Sequence, residues 1–248
     1  MSLKKLAAAA LMILSTLGCQ TALKQPVSPA AEVKGIDNAL SSTVILYDLT
    51  DRLVCAGTRV SPTEIVTAFH CVVAGALSDK EAEEIEKNDP LYENQRPETF
   101  KGRDILFATY GDIMGAGYDG VIHGKLAYVD RMDFKHDVAV LTTLPSSQAS
   151  VRLKDHDLGV GEPVFSVGHP YGLEFSFARG YISNQCRWLD SKTCWTQVDI
   201  SIWGGSSGGG LFDAEGNLAG VASMRINATY AFFVNLDATA RLVKTPSL

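Results

Sequence analysis

Short β-type runs, rich in hydrophobic residues and separated by polar turns, recur at regular spacing along the chain from residue 42 onward. Val, Ile, Leu, Thr, Phe and Tyr dominate these runs, and Gly, Pro, Asp and Asn fill the gaps between them. This pattern is typical of antiparallel strands joined by turns, and it does not resemble strands that alternate with helices. About a dozen strands are predicted, in STVILYD, LVCAGTRV, EIVTAF, DILFATY, GKLAYVD, DVAVLTT, EPVFSVG, FSFARGYIS, CWTQVDI, GGLFD, NLAGVAS and YAFFVN.

Strands at this spacing favour an all-β fold of paired antiparallel barrels. Only two segments have a helical pattern. SDKEAEEIEKND is acidic and is predicted to be a solvated insertion between strands around residues 78–99, and LDATARLV predicts a short closing helix. Residues 19–40, which include QPVSPAAEVKG, lack periodicity and are interpreted as a tether.

The first residues have the pattern of a targeting segment. Lys4 and Lys5 precede the short apolar stretch Leu6–Leu17, which falls below the roughly 20 residues that a membrane-spanning helix needs. Residues 1–18 are therefore predicted to be a signal peptide, and the mature chain is expected to be exported. Cys19 follows directly and predicts lipidation and membrane attachment; simple cleavage nearby, with periplasmic or secreted product, is the alternative.

Composition and cysteine spacing narrow the function classes. The 248 residues carry a net charge of −6, which argues against nucleic acid as a partner. Apart from Cys19, the cysteines form two local pairs, Cys55 with Cys71 and Cys186 with Cys194, that predict disulfides in an oxidising compartment. The spacing matches no zinc motif, so we expect neither a metal nor an organic cofactor.

Two segments offer a histidine and a carboxylate. In TAFHC, His70 follows a β-type run and Cys71 stands beside it; a bridge from Cys71 to Cys55 would anchor the loop that bears His70 and would stabilise the fold by about 3 kcal/mol. In HDVAVL, Asp137 opens an apolar strand, where a buried carboxylate needs a partner such as the N–H of a neutral imidazole.

The run GSSGGG, residues 205–210, is the third segment. A nucleophilic hydroxyl at Ser207 requires the backbone N–H groups of residues 205 and 207 to point toward one place, and glycine permits the unusual φ and ψ at Gly205. A phosphate-binding loop would need Lys-Ser/Thr and a helix after the glycines, but Leu211 and Phe212 follow. A flexible turn would not lie between two β-type runs.

The order His70, Asp137, Ser207 is that of chymotrypsin-type proteases. The chain resembles a trypsin-like (chymotrypsin-fold) serine protease over about residues 41–243: TAFHC resembles T-A-A-H-C, DVAVL resembles D-I-A-L-L, and GSSGG resembles G-D-S-G-G. In style the motifs are similar to glutamyl endopeptidases and high-temperature-requirement proteases.

The resemblance implies two six-stranded antiparallel barrels, over about residues 41–145 and 146–248, with the active site between them. It implies Ser207 as nucleophile, His70 as general base and then acid, and Asp137 as the group that orients the imidazole. The N–H groups of Gly205 and Ser207 would form the oxyanion hole.

The resemblance also places a substrate pocket. The lack of an Asp at its base argues against a preference for Arg or Lys, and the lack of a histidine at position 222 weakens an acidic preference. Three roles are open for Arg225: it restores an acidic preference, it narrows the pocket, or it is a solvated cation at the rim. We expect a small or medium apolar residue before the scissile bond. The predicted lining residues are Ser201, Ile202, Ala222 and Arg225.

The sequence therefore predicts an exported, monomeric serine endopeptidase that acts on proteins or peptides through an acyl-enzyme. One alternative is a catalytically silent relative that binds peptides or a surface, and another is an esterase with the same triad. No chemistry is assigned to the remaining histidines, which are His123, His136, His156 and His169.

Overall fold

Twelve strands in the described residues form two closed antiparallel β-barrels of six strands each. The computed structural model describes residues 28–47, 53–76, 104–114, 124–189 and 193–244. The predicted signal peptide, Cys19, the acidic insertion and His123 lie outside these residues. Within them each of the predicted strand segments contains a strand, and the predicted double-barrel fold is confirmed.

The first barrel runs in the order β1-β2-β3-β6-β5-β4 and closes through the pairing of β4 with β1. Side chains of β1 are buried on both faces of the strand: Val44 and Leu46 belong to the core within the barrel, whereas Ile45 and Tyr47 pack on a second apolar cluster with Phe175. The strands are β1 (Thr43–Tyr47), β2 (Leu53–Ser61), β3 (Glu64–Thr67), β4 (Asp104–Thr109), β5 (Lys125–Asp133) and β6 (Val138–Thr143).

The second barrel runs in the order β10-β11-β12-β9-β8-β7 and closes through the pairing of β7 with β10. Its interior is filled by a separate apolar cluster that includes Val164, Ile182, Val198 and Phe233. The strands are β7 (Pro163–Gly168), β8 (Ser176–Trp188), β9 (Cys194–Val198), β10 (Gly210–Phe212), β11 (Leu218–Arg225) and β12 (Ala231–Val234).

A third apolar cluster joins the barrels. Val66 and Val140 of the first barrel pack with Trp195, Phe232 and Val234 of the second. Because fully burying a side chain of this kind contributes about 1.5–3 kcal/mol, this cluster fixes how the two barrels dock. Functional groups on different barrels are therefore held at defined positions relative to one another.

The predicted tether is wrong where the structure describes it. Residues Pro29–Ser42 form helix α1, which Ser28 caps by accepting the N–H of Ala31 at 3.2 Å and which begins with proline. Its buried Ala39 packs with Phe212 and Leu218 of the second barrel. Contacts with the barrels stabilise this helix. Its sequence therefore did not need a strong helical periodicity of apolar residues, and none was recognised.

Three further α-helices lie in the described residues: α2 (Phe69–Ala76), α3 (Tyr110–Met114) and α4 (Leu236–Lys244). The closing helix α4 matches the predicted helical segment, and Arg131 of β5 donates to its carbonyl oxygens at Leu242 and Val243. In the part of the chain that the structure covers, no helix is both long and apolar enough to cross a membrane.

Candidate active site

His70 lies in the first turn of α2, just beyond the end of β3. The loop expected around it is thus a helix, and the disulfide between Cys55 and Cys71, with Cα atoms 5.8 Å apart, ties this helix to β2. The second predicted disulfide is also present, between Cys186 and Cys194. The first bridge fixes the backbone on which the imidazole is carried.

Asp137 reaches this imidazole from a short connection. A 3-10 turn, Phe134–His136, ends at Asp137, which adopts the left-handed conformation with φ of 52°. Its Oδ2 lies 2.9 Å from Nδ1 of His70, and its Oδ1 accepts the backbone N–H of His70 at 2.9 Å. A left-handed conformation is strained for most residues but is tolerated by Asp, and here it turns the carboxylate toward α2.

Ser223 on β11 is a further member of this group that the sequence analysis missed. Its hydroxyl donates to Oδ2 of Asp137, so the carboxylate accepts bonds from both barrels. A serine within the strand segment NLAGVAS carried no signal of this role. Its neighbour in the strand pairing explains the orientation, because the register of β11 against β12 shifts between Ala222 and Met224, and such a bulge re-aims a side chain.

The charges of the pair support each other. Burial alone would lower the pKa of His70, but the charge of Asp137 and the hydrogen bond to it raise the pKa above the ordinary 6.5. Burial alone would raise the pKa of Asp137, but the charge and hydrogen bonds of His70, with the Ser223 hydroxyl, lower it below 3.8. At neutral pH Asp137 is thus an anion that holds a proton on Nδ1 of His70, which leaves Nε2 as the basic nitrogen.

The segment that carries Ser207 is clamped between the barrels. The carbonyl of Ser207 accepts the N–H of Ala56 on β2 at 2.7 Å, and the N–H of Gly208 donates to Ala222 on β11 at 2.7 Å. Gly208 has φ of +80°, and a methyl group there would overlap Thr67 Oγ1 and the Ala56 carbonyl. Glycine is therefore required, and it lets Ser207 approach the strand end that leads into His70.

Two backbone donors of this loop are available to a ligand. The amides of Ser206, Gly208 and Gly209 are all engaged within the protein, whereas among the described residues those of Gly205 and Ser207 have no acceptor. Gly205 has φ of +94°. These are the two donors that the sequence analysis expected to face a developing oxyanion.

The hydroxyl of Ser207 makes no hydrogen bond within the described residues, to His70 or to any other group. The structure thus forms the contact between His70 and Asp137 and places Gly208, next to Ser207, beside the residues that lead into α2. The hydrogen bond between the Ser207 hydroxyl and His70 is not formed. Such contacts are often long in a free enzyme and tighten when substrate binds.

The predicted pocket residues fall into two pairs. Ile202 and Ala222 are buried in the core of the second barrel, while Ser201 and Arg225 are exposed and meet at Trp203. The Trp203 indole N–H donates to Ser201 Oγ at 3.0 Å, and the Arg225 guanidinium lies 3.8 Å from the centre of the ring. The accessible polar groups among the predicted pocket residues are therefore Ser201 and Arg225, and both contact Trp203.

His169 is more than the turn residue that was expected. It is fully buried, its Nδ1 accepts the N–H of Phe175 at 2.9 Å, and its Nε2 lies 3.2 Å from the carbonyl of Val44 in the first barrel. Burial lowers its pKa to about 4. His169 is thus a neutral link between the barrels at physiological pH.

Among the described residues, one group of three possible metal ligands comes together, and it does not form a metal site. The ligand atoms of Cys55, His70 and Cys71 lie within 4.8 Å of one another. Both cysteine sulfurs are joined in a disulfide, so they offer no thiolate, and metal binding by cysteine requires the thiolate.

Comparison with known proteins agrees with this geometry. The family model for the trypsin-like peptidase domain matches residues 55–221, a span that contains His70, Asp137 and Ser207. The chain belongs to this family. The trypsin-like peptidases with which it shares sequence include a probable periplasmic serine endoprotease, DegP-like, from Ectopseudomonas mendocina, which is 38% identical over 94 residues.

That match spans 37% of this chain and only 20% of the relative, so the chain corresponds to about one fifth of the length of the curated relatives it matches. Among solved structures, the serine endoprotease from Yersinia pestis aligns with a TM-score of 0.62 at 19% identity, over 89% of this chain and 67% of that one. An HtrA-type protease determined with a tripeptide aligns with a TM-score of 0.63 at 20% identity, over 88% and 63% of the two chains. At these identities the structures establish the trypsin-like double-barrel fold.

Proposed function

We propose that the chain is an exported serine endopeptidase that hydrolyses peptide bonds through an acyl-enzyme at Ser207. The observation that carries the proposal is the partly buried pair of His70 and Asp137, whose carboxylate is held by three donors, beside a clamped loop in which the N–H groups of Gly205 and Ser207 are unused. Family membership supports the same chemistry. Protein or peptide chains are the expected substrates.

The proposed reaction uses each group at a stated atom. As Ser207 Oγ bonds to the substrate carbonyl carbon, its proton passes to Nε2 of His70, and the carbonyl electron pair moves to the oxygen. The N–H groups of Gly205 and Ser207 stabilise that oxyanion. The C–N bond then breaks, the leaving amine takes the proton from His70, and water repeats the sequence to release the acid.

A fluorophosphonate probe tests the nucleophile directly, since it reacts only with an activated serine. We expect the natural chain to be labelled, the Ser207→Ala and His70→Ala variants not to be labelled, and a Ser206→Ala control to retain labelling. Ser206 is a suitable control because it is adjacent but buried. An unlabelled natural chain, or labelling that persists in Ser207→Ala, would favour the silent peptide-binding relative instead.

Substrate selection is proposed to favour a small or medium apolar residue before the scissile bond. The pocket that the resemblance implies has no Asp at its base to select Arg or Lys, and Arg225 lies over the Trp203 ring. Cleavage of a peptide library by the natural chain and by Arg225→Ala tests this. A strong preference for Glu or Asp that disappears in Arg225→Ala would contradict it.

Export is proposed from the N-terminal sequence, with residues 1–18 as a signal peptide and Cys19 as a lipidation site. The DegP-like relatives are named as probable periplasmic proteases, and the two disulfides suit an oxidising compartment. Detergent partitioning of the natural chain and of Cys19→Ala tests the anchor. An identical distribution of the two would refute lipidation while leaving export intact.

A further inference from the structure

A cavity of about 500 Å³ opens in the first barrel, and none of His70, Asp137 and Ser207 lines it. Its walls come from β2, β4, β5 and the residues that follow β6. A volume of this size lies within the range of small-molecule sites. The proposed reaction therefore does not use this cavity.

The floor of the cavity is a buried cation. Arg59 is 1% exposed, and its Nη1 donates to the Pro62 carbonyl at 3.1 Å and to Thr143 Oγ1 at 3.3 Å. The guanidinium carbon lies 5.6 Å from the centre of the Phe107 ring. Within the described residues, Nε has no hydrogen-bond partner and no carboxylate pairs with the guanidinium.

An unpaired buried charge is an unusual arrangement. Buried charges are ordinarily paired, and buried donors are ordinarily satisfied. Burial also lowers the pKa of Arg59, which shows that the charged form is destabilised where it lies. An entering carboxylate would supply the counter-charge that the guanidinium lacks among the described residues.

The other walls define the rest of the ligand. Leu126, Tyr128 and Leu144 line the cavity and expose 45%, 43% and 82% of their surface, so they offer apolar contact. Lys125 also lines it, but its ammonium is held by Asp112 at 2.8 Å. The selective anion contact is therefore Arg59, and the surrounding surface suits a hydrocarbon body.

We propose that this cavity is a binding site for a small organic carboxylate with an apolar body. The carboxylate pairs with the Arg59 guanidinium, and the apolar body lies against Leu126, Tyr128 and Leu144. The proposal does not depend on the peptidase activity, since it concerns binding at residues outside the catalytic groups.

Isothermal titration of the folded full chain with hydrocinnamate, and with its neutral amide, tests this at constant ionic strength. We expect the acid to saturate one site and the amide to bind about tenfold more weakly or worse, because only the acid forms charge-assisted bonds. Arg59→Met should weaken the acid by about tenfold or more and leave the amide unchanged. Equal binding of acid and amide, no saturation by the acid, or acid binding that survives Arg59→Met would overturn the proposal.

A second pair of variants keeps the test valid if Arg59→Met does not fold. Leu126 is half exposed on β5, so Leu126→Glu places a competing carboxylate at the cavity, and Leu126→Gln is its neutral match. Only Leu126→Glu should abolish binding of hydrocinnamate; equal effects of the two would contradict the assignment. N-acetylphenylalanine separates the sources: tighter binding than hydrocinnamate identifies a peptide C-terminus, and weaker or equal binding identifies a free acid.

Discussion

Replacing Gly208 with alanine is expected to destabilise the protein far more than the same change at Gly161. The two glycines have nearly the same backbone conformation, with φ of +80° and +83°, which costs alanine about 1–2 kcal/mol. Their surroundings differ. Nothing described lies within 4 Å of a methyl group at Gly161, whereas at Gly208 it would overlap Thr67 Oγ1 and the Ala56 carbonyl oxygen.

The structure gives the size of the difference. The overlap at Gly208 can be relieved only if its segment moves away from β2, which breaks the bond from the Ala56 N–H to the Ser207 carbonyl. Overpacking of this kind costs about 1–3 kcal/mol, and an unsatisfied buried group costs about 1–3 kcal/mol more. We therefore expect a loss of at least about 3 kcal/mol for Gly208→Ala, against about 1–2 kcal/mol for Gly161→Ala.

Urea unfolding followed by tryptophan fluorescence measures this, with both changes made in a Ser207→Ala background to prevent self-cleavage. In the active background, fluorophosphonate labelling should be lost in Gly208→Ala and kept in Gly161→Ala. If the two glycine variants lose the same free energy of unfolding within about 1 kcal/mol, the proposed clamp on the nucleophile segment is refuted.

Three further predictions concern the polar groups of the site. Asp137→Asn removes the charge that raises the pKa of His70. Because the residual kcat/KM rises with pH as His70 loses its proton, the midpoint of that rise should move to lower pH. An unmoved midpoint would contradict the interaction between His70 and Asp137. Ser223→Ala should lower kcat/KM by about tenfold because one charged hydrogen bond to Asp137 is lost, whereas Ser223→Thr should retain most activity; equal losses would exclude this role. His169 has a pKa of about 4 when folded and 6.5 when unfolded, so the unfolded chain takes up the proton first and stability falls as pH drops from 6.5 toward 4, by about 3 kcal/mol. Urea midpoints of His169→Gln should lack that part of the acid dependence, and an unchanged dependence would contradict it.

Local sequence signals predicted the strands well. Strand β1 is buried on both faces, yet four of its five residues are β-branched or aromatic, which predicts a strand without any alternation. The order of His70, Asp137 and Ser207 along the chain suggested that these residues act together, and the structure brings His70 and Asp137 into contact.

Features that depend on distant contacts were not predictable. Helix α1 is stabilised where Ala39 packs on Phe212, residues far apart in sequence. The orientation of Ser223 depends on a bulge in β11, and the residue types of this strand do not predict the bulge. The burial of His169 between barrels likewise follows from their docking, since its acceptor is the Val44 carbonyl.

The distribution of reactive groups along the chain also orders events during synthesis. His70 and Asp137 belong to the barrel that leaves the ribosome first, whereas Ser207 needs β11 and β12 around it, and β12 ends at Val234. On the proposed mechanism, His70, Asp137 and Ser207 therefore come together only after the chain has been translated as far as Val234. On that mechanism, the order of the elements along the polypeptide by itself delays peptide cleavage until both barrels have been made.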